Sequence, residues 1–175
     1  MKRQLDSLEE HIIDLVTKSI VDNYYETSYA KWTKIINDIF IDVGMDNGFS
    51  IYCSSQRKEV KSEWLWDISW SKESASDFDG WKDFFGLEMI VEVEWGNKDE
   101  ILSDFMKLCV GLANYRVMVF EYFNESEGQG FDEVCNLLIN TSSKVAAKGS
   151  KFLIIGLPYY FEHKELVKKY AWVIK

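Results

Sequence analysis

Polar and apolar residues alternate along residues 87–95, and this is the clearest strand pattern in the chain. All the odd-numbered positions are apolar, and Glu88, Glu92 and Glu94 stand on even-numbered ones. A repeat of two residues predicts a β-strand with one buried face. The other face would carry a row of carboxylates, which repel one another unless a cation lies between them.

Two segments before this strand are predicted to form an antiparallel hairpin. Residues 49–54 make a short strand, and residues 63–71 alternate with tryptophans on one face and Asp67 on the other. We expect the tryptophans at 64, 66 and 70 to lie in the core. Residues 72–82 are rich in Ser, Asp and Gly and predict a loop.

Four segments have apolar residues at helical spacing. They are residues 5–21, a helix from Thr27 or Ser28 to residue 43, residues 99–112 and residues 131–145. Gly44 is expected to end the second helix, and Asp99 is expected to cap the third.

Two nearly continuous apolar runs, residues 115–123 and 151–157, predict strands that are covered on both faces. The pattern of the tail, residues 162–175, is ambiguous: it suggests a basic helical turn near 164–169, followed by an edge strand at 171–174. The predicted fold is mixed α/β, with a central mixed sheet of about five strands flanked by helices. A helical segment would occupy about residues 1–45 and the core about residues 49–158 of a single domain.

The composition adds three constraints. A chain of 175 residues with 47% hydrophobic and 15% aromatic residues fits one globular domain. Its start lacks the apolar segment of a signal peptide and no apolar run is long enough to span a membrane, so we expect a cytoplasmic protein with buried, reduced cysteines. The net charge of −9 disfavours nucleic-acid binding over the whole surface but not along a local basic stripe.

Glu92 and Glu94 are the first candidates for chemistry. They are two residues apart on a predicted strand, so their side chains project together, with Cα atoms roughly 7 Å apart. One divalent ion could contact both, because hard cations such as Mg²⁺ take oxygen ligands. The alternative is the solvated face of an amphipathic strand.

Together these residues resemble the PD-(D/E)XK nuclease superfamily, whose core is a strand hairpin, a third strand, a helix and a fourth strand. Asp67 stands on the predicted second strand, and the acidic pair stands on the third. Residues 92–99 read Glu-x-Glu-Trp-x-Asn-Lys-Asp, which is similar to the active-site stretch of BamHI/BglII-like restriction endonucleases. The resemblance extends over about residues 63–121 and includes the following helix, which bears Asp104.

The resemblance implies a role for each acidic residue. Asp67 and Glu92 would bind the metal, with the carbonyl of Val93 as a third ligand. Glu94 stands where most members carry Lys and the BamHI-like branch carries Glu. It would therefore act as a general base or bind through a second metal.

Nearby polar residues each have a second interpretation. Glu63 would be a further acidic ligand or a solvated strand start, and Asn97 and Lys98 would contact a phosphate or be a turn residue and a surface lysine. Asp104 and Lys107 are one helical step apart and are expected to form a surface ion pair.

The resemblance implies a DNA endonuclease that depends on Mg²⁺ or Mn²⁺, acts in restriction or defence, and works as a homodimer with one site for each strand. The alternative is a non-catalytic protein-interaction module on the same fold. The acidic composition and the many aromatic residues would suit a protein partner.

Overall fold

The computed structural model describes residues 1–23, 26, 28–55, 57–75, 82–123, 130–159 and 167–175. These residues form a mixed α/β fold, as predicted. Its elements are α1 (Ser7–Asp22), α2 (Tyr29–Asp46), β1 (Ser50–Cys53), β2 (Ile68–Ala75), β3 (Lys82–Glu94), α3 (Lys98–Val110), β4 (Ala113–Tyr122), α4 (Phe131–Val145), β5 (Lys151–Pro158) and β6 (Lys168–Val173).

The strands form one mixed sheet in the order β1-β2-β3-β4-β5-β6. β1, β2 and β3 form an antiparallel meander, whereas β3, β4 and β5 run parallel because α3 and α4 connect them. β6 returns antiparallel to β5. The described sheet therefore has six strands, since the tail supplies the edge strand that the sequence left open.

Helices cover both faces of the sheet. α1 and α2 pack on one face, with Val91 and Val93 of β3 in their core. α3 and α4 pack on the other face, where Ile90 joins Phe105 of α3. Because Glu92 follows Ile90 by two residues, its side chain points toward α3.

Each outer strand of the sheet makes a few backbone hydrogen bonds to a neighbouring segment. The N–H of Cys53 in β1 donates to the carbonyl of Lys61 (3.0 Å), and at the opposite edge the N–H of Arg3 donates to the carbonyl of Ala171 in β6 (3.1 Å).

Several sequence predictions about β2 and β3 are wrong. Residues 63–67 precede β2, so Trp64 lies outside the sheet and is 53% exposed, whereas Trp66 and Trp70 are buried as expected. Residues 72–75 of the predicted loop at 72–82 belong to β2, because their backbone pairs with β3. The charged side chains of Lys72 and Glu73 form ion pairs with Glu88 and Lys61. Residues 76–81 lie outside the described part.

Helix ends also differ from the predictions. α2 passes through Gly44 and ends at Asp46, because Gly44 packs against Trp70 and does not turn the chain. Asn97 caps α3 in place of Asp99, and Leu112 follows the helix and is largely exposed. Ser28 caps α2, and the alternative start at Thr27 lies outside the described residues. So do residues 164–166 of the predicted basic helical turn near 164–169 and residues 124–129 before Gly130. Residues 168 and 169 belong to β6, so the helical turn is wrong for them, because they pair with β5.

The buried carboxylate of Glu73 in β2 makes the stability of the fold depend on pH. Burial alone would raise the pKa of Glu73, but hydrogen bonds from Lys61, Tyr52 and Ser71 outweigh it and lower the pKa to about 2. Glu73 therefore stabilises the fold above its ordinary pKa of 4.5, and this contribution is lost as the pH falls toward 2.

We expect Glu73→Gln to lower the free energy of unfolding at pH 7 by about 1–2 kcal/mol and to flatten its fall between pH 5 and 2. Urea unfolding at several pH values measures both effects. Glu10→Gln, at an exposed position of α1, is the control and should retain the acid dependence. An unchanged acid limb in Glu73→Gln would contradict the assignment.

Candidate active site

Asp67 and Glu92 lie close together just beyond the end of the β2–β3 ladder, whose last pair is Ile68 with Val91. The charge of Asp67 acts directly on the carboxyl of Glu92. Asp67 Oδ2 accepts the N–H of Val93 at 2.8 Å, so a side chain rather than the backbone joins the segment before β2 to β3.

Burial dominates the electrostatics of this pair. Glu92 is 1% exposed, and its burial, followed by the charge of Asp67, raises its pKa to about 8. Burial also raises the pKa of Asp67, against the lowering effect of the hydrogen bond from Val93. The site therefore holds at least one proton near neutral pH that a bound cation would displace.

Lys107 brings a positive charge to the two acids from α3. Its Nζ lies 3.3 Å from Glu92 Oε1 and 2.8 Å from Asp104 Oδ1. Burial lowers the pKa of Lys107, but Asp104 and Glu92 outweigh it and raise the pKa. The expected ion pair of Asp104 with Lys107 is thus present, and it also reaches the buried carboxyl of β3.

Sequence reasoning treated Asp104 and Lys107 as surface residues. The available signal was their place on the helix that follows β3, together with their spacing, which puts both side chains on one helical face. That spacing does not tell whether the face turns toward solvent or toward the end of the sheet.

Glu94 is the last residue of β3. Its Oε1 accepts the N–H of Gly96 at 2.6 Å. Burial, followed by a hydrogen bond with Asp104, raises the pKa of Glu94. Glu94 therefore lies close to Asp104, which also contacts Lys107, at the end of β3.

The accessory candidates have different surroundings. Glu63 is exposed and close enough to Asp67 to raise its pKa. Asn97 accepts the N–H groups of Asp99 and Glu100 at 2.9 and 3.3 Å, which makes it the N-cap of α3. Lys98 forms an ion pair with Glu133 of α4 at 2.5 Å. Asn97 and Lys98 therefore have structural roles, and their phosphate contacts stay a prediction.

The donor set fits a cation that keeps much of its water. Among the residues that the structure describes, no group of three or more His, Cys, Asp or Glu side chains is arranged to hold a metal ion. Mg²⁺, however, is often bound through one or two carboxylates and completes its shell with water. A residue whose N–H faces a neighbouring strand also turns its C=O there, so the carbonyl of Val93 lies on the side of Asp67.

Comparison with models of known protein families, with curated proteins and with solved structures finds no match to this chain. In the described part of the chain, no helix combines the length and apolar character needed to cross a membrane.

Proposed function

We propose that the chain is a metal-dependent nuclease that hydrolyses phosphodiester bonds of DNA at Asp67 and Glu92. The observation that carries the proposal is the buried carboxyl of Glu92, which lies close to the carboxyl of Asp67 and beside the ammonium of Lys107. A fully buried acid without a structural need costs stability, so such an arrangement is typical of functional sites.

The order of elements supports the same proposal. The hairpin of β1 and β2, then β3, α3 and a parallel β4, is the order expected of a restriction-endonuclease-like core. Glu92 stands on the third strand, as the resemblance implies, whereas Asp67 directly precedes the second strand and reaches β3 through its side chain.

In this proposal Asp67, Glu92 and the carbonyl of Val93 hold Mg²⁺ or Mn²⁺. A bound metal supplies a water of lowered pKa and offsets the negative charge that accumulates on the phosphate. Glu92 must lose its proton before it can bind a cation, and Lys107 must move off its carboxylate.

In this proposal Lys107 holds and polarises the attacking water, a role that the carboxylate of Glu94 cannot fill as a lysine would. Most members of the superfamily carry a lysine at the place of Glu94, where it holds and polarises the attacking water. Here the ammonium reaches the site from α3, and Asp104 positions it at 2.8 Å. Glu94, hydrogen-bonded to Asp104, accepts or returns a proton at the edge of the site.

The test is incubation of the purified protein with plasmid and single-stranded DNA in the presence of Mg²⁺ or Mn²⁺. We expect cleavage by the wild type and a loss of about 100-fold or more in Asp67→Asn. The asparagine retains an oxygen that can accept the N–H of Val93, so the strand end should keep its structure.

Glu63→Gln is the matched control, because it removes a nearby but exposed carboxylate and should leave cleavage within about twofold. Cleavage that survives in Asp67→Asn would indicate a contaminating nuclease. No cleavage by the wild type at any metal or salt concentration would favour the interaction module, for which a group of exposed apolar side chains beside Trp64 is the supporting observation.

A further inference from the structure

An open groove of about 740 Å³ lies at the end of the sheet where β4 and β5 begin. It is lined by the start of β3, the turn between α3 and β4, and the loop before β5. Its lining includes three lysines and two exposed apolar side chains, which are Lys72, Lys148 and Lys151, and Phe85 and Leu112. The groove therefore combines positive charge with an exposed aromatic ring, although the whole chain carries a net charge of −9.

Carboxylates balance only part of the positive charge in the groove. Glu88 lines the groove and forms an ion pair with Lys72. Within the described residues, Lys148 and Lys151 form no ion pair, and the Lys151 ammonium instead lies 5.0 Å from the centroid of the Tyr115 ring. Two lysines are thus available to an anion that enters the groove.

Arg116 adds a buried positive charge to the lining of the groove. Its side chain is only 4% exposed and donates to the carbonyls of Leu108, Gly111 and Ala113 at 3.1, 2.7 and 2.8 Å. These acceptors are neutral, and no carboxylate in the described part of the chain pairs with this guanidinium. Because a guanidinium stays protonated at physiological pH, its uncompensated charge favours an anion in the groove.

Two connections join the groove to the carboxylate site. Glu88 lines the groove and Glu92 follows four residues later in β3, so about 13 Å of strand separates their Cα atoms. The turn at Gly111 packs on Trp66, because a Cβ at Gly111 would lie 2.8 Å from Trp66 Cζ2, and Trp66 directly precedes Asp67. An extended strand of a few nucleotides is long enough to lie in the groove and reach the carboxylates.

We propose that this groove binds a single-stranded segment of nucleic acid, with phosphates at Lys148 and Lys151 and a base stacked on Phe85. The inference rests on the proposed function, because it assigns the substrate of the carboxylate site a form and a path along the protein. A single strand fits the groove better than a duplex does, because the faces of its bases are free to stack on an aromatic side chain. Lysines along a groove and an exposed aromatic ring are the features that bind single strands with little sequence preference.

Fluorescence anisotropy of a labelled single strand of about 12 nucleotides tests the groove, with EDTA present so that binding is measured without cleavage. The double variant Lys148→Gln/Lys151→Gln should weaken binding at least about tenfold at low salt. It should also reduce the slope of log affinity against log salt by about 1.4, because each phosphate contact on a single strand contributes about 0.7. Phe85→Ala should weaken binding at least about fivefold and leave the salt slope unchanged, because it removes stacking and no charge.

Lys18→Gln is the control, because it removes an exposed lysine about 18 Å along α1 from Asp6, which contacts Tyr115 at the groove. It should bind like the wild type. Phe85 and Lys148 are exposed, so their substitution should leave the circular dichroism spectrum unchanged. A wild type that binds no single strand, equal affinity for a duplex of the same sequence, or unchanged binding in the lysine and Phe85 variants would each overturn the proposal. Cleavage that persists while binding ignores these residues would exclude the groove and leave the proposed function standing.

Discussion

Glu92→Gln is expected to abolish binding of Mg²⁺ and Mn²⁺ and to stabilise the protein above pH 8. Glutamine keeps the shape of the side chain but removes the charge that a cation needs. In the wild type the burial of Glu92 raises its pKa to about 8, so metal binding at pH 7 has to displace a proton. Below that pKa, the affinity for the metal should therefore increase about tenfold for each unit by which the pH rises.

Glu92 lowers the free energy of unfolding of the wild type as the pH rises. In the unfolded chain Glu92 loses its proton near its ordinary pKa of 4.5, whereas in the folded protein it keeps the proton up to about pH 8. The folded state binds more protons within this window, so the free energy of unfolding falls as the pH rises through it. The loss should reach a few kcal/mol above pH 8, and Glu92→Gln should not show it.

Calorimetric titration in buffers of different ionisation enthalpy measures both the affinity and the released proton. Urea unfolding of the metal-free protein between pH 5 and 9 measures the stability. The control is Glu88→Gln, which makes the same substitution in the same strand at a carboxylate paired with Lys72. Metal binding by Glu92→Gln at wild-type affinity would exclude Glu92 as a ligand.

The sequence could predict which side chains of β3 lie on the same face, because the alternation of residues 87–95 depends only on strand geometry. The same alternation put Glu92 on the face opposite Val91 and Val93, and the structure confirms that separation. The approach of Lys107 was not predictable, because helical spacing gives the residues on a face but not the rotation of the helix against the sheet.

Errors in the sequence predictions arose where tertiary contacts override local composition. Glu73 and its neighbours suggested a loop, but their pairing with β3 and the partners of Glu73 make them strand. Trp64 was expected in the core because it alternates with Trp66 and Trp70, whereas it precedes β2 and is 53% exposed. Gly44 was interpreted as a helix end because glycine often has that role.

For Gly44→Ala, helix propensity and packing predict changes of opposite sign in the free energy of unfolding. Propensity alone would stabilise α2 by about 1 kcal/mol. A Cβ at this position, however, would lie 2.5 Å from Ile51 Cδ1 and 2.7 Å from Trp70 Cε2, and both side chains are buried. We expect packing to dominate, with a net loss of about 2–3 kcal/mol and a fall of about 4–12 °C in Tm.

The reason for this loss can be isolated with Trp70→Phe. Phenylalanine lacks the indole atoms that the new Cβ would meet, and it also removes an indole N–H that has no hydrogen-bond partner among the described residues. The loss caused by Gly44→Ala should therefore shrink by about 1 kcal/mol or more in the Trp70→Phe background. Gly48→Ala is the control, since nothing lies within 4 Å of a Cβ there and Trp70→Phe should not alter its effect. If Gly44→Ala instead stabilises the protein, the close packing of α2 on Trp70 is wrong.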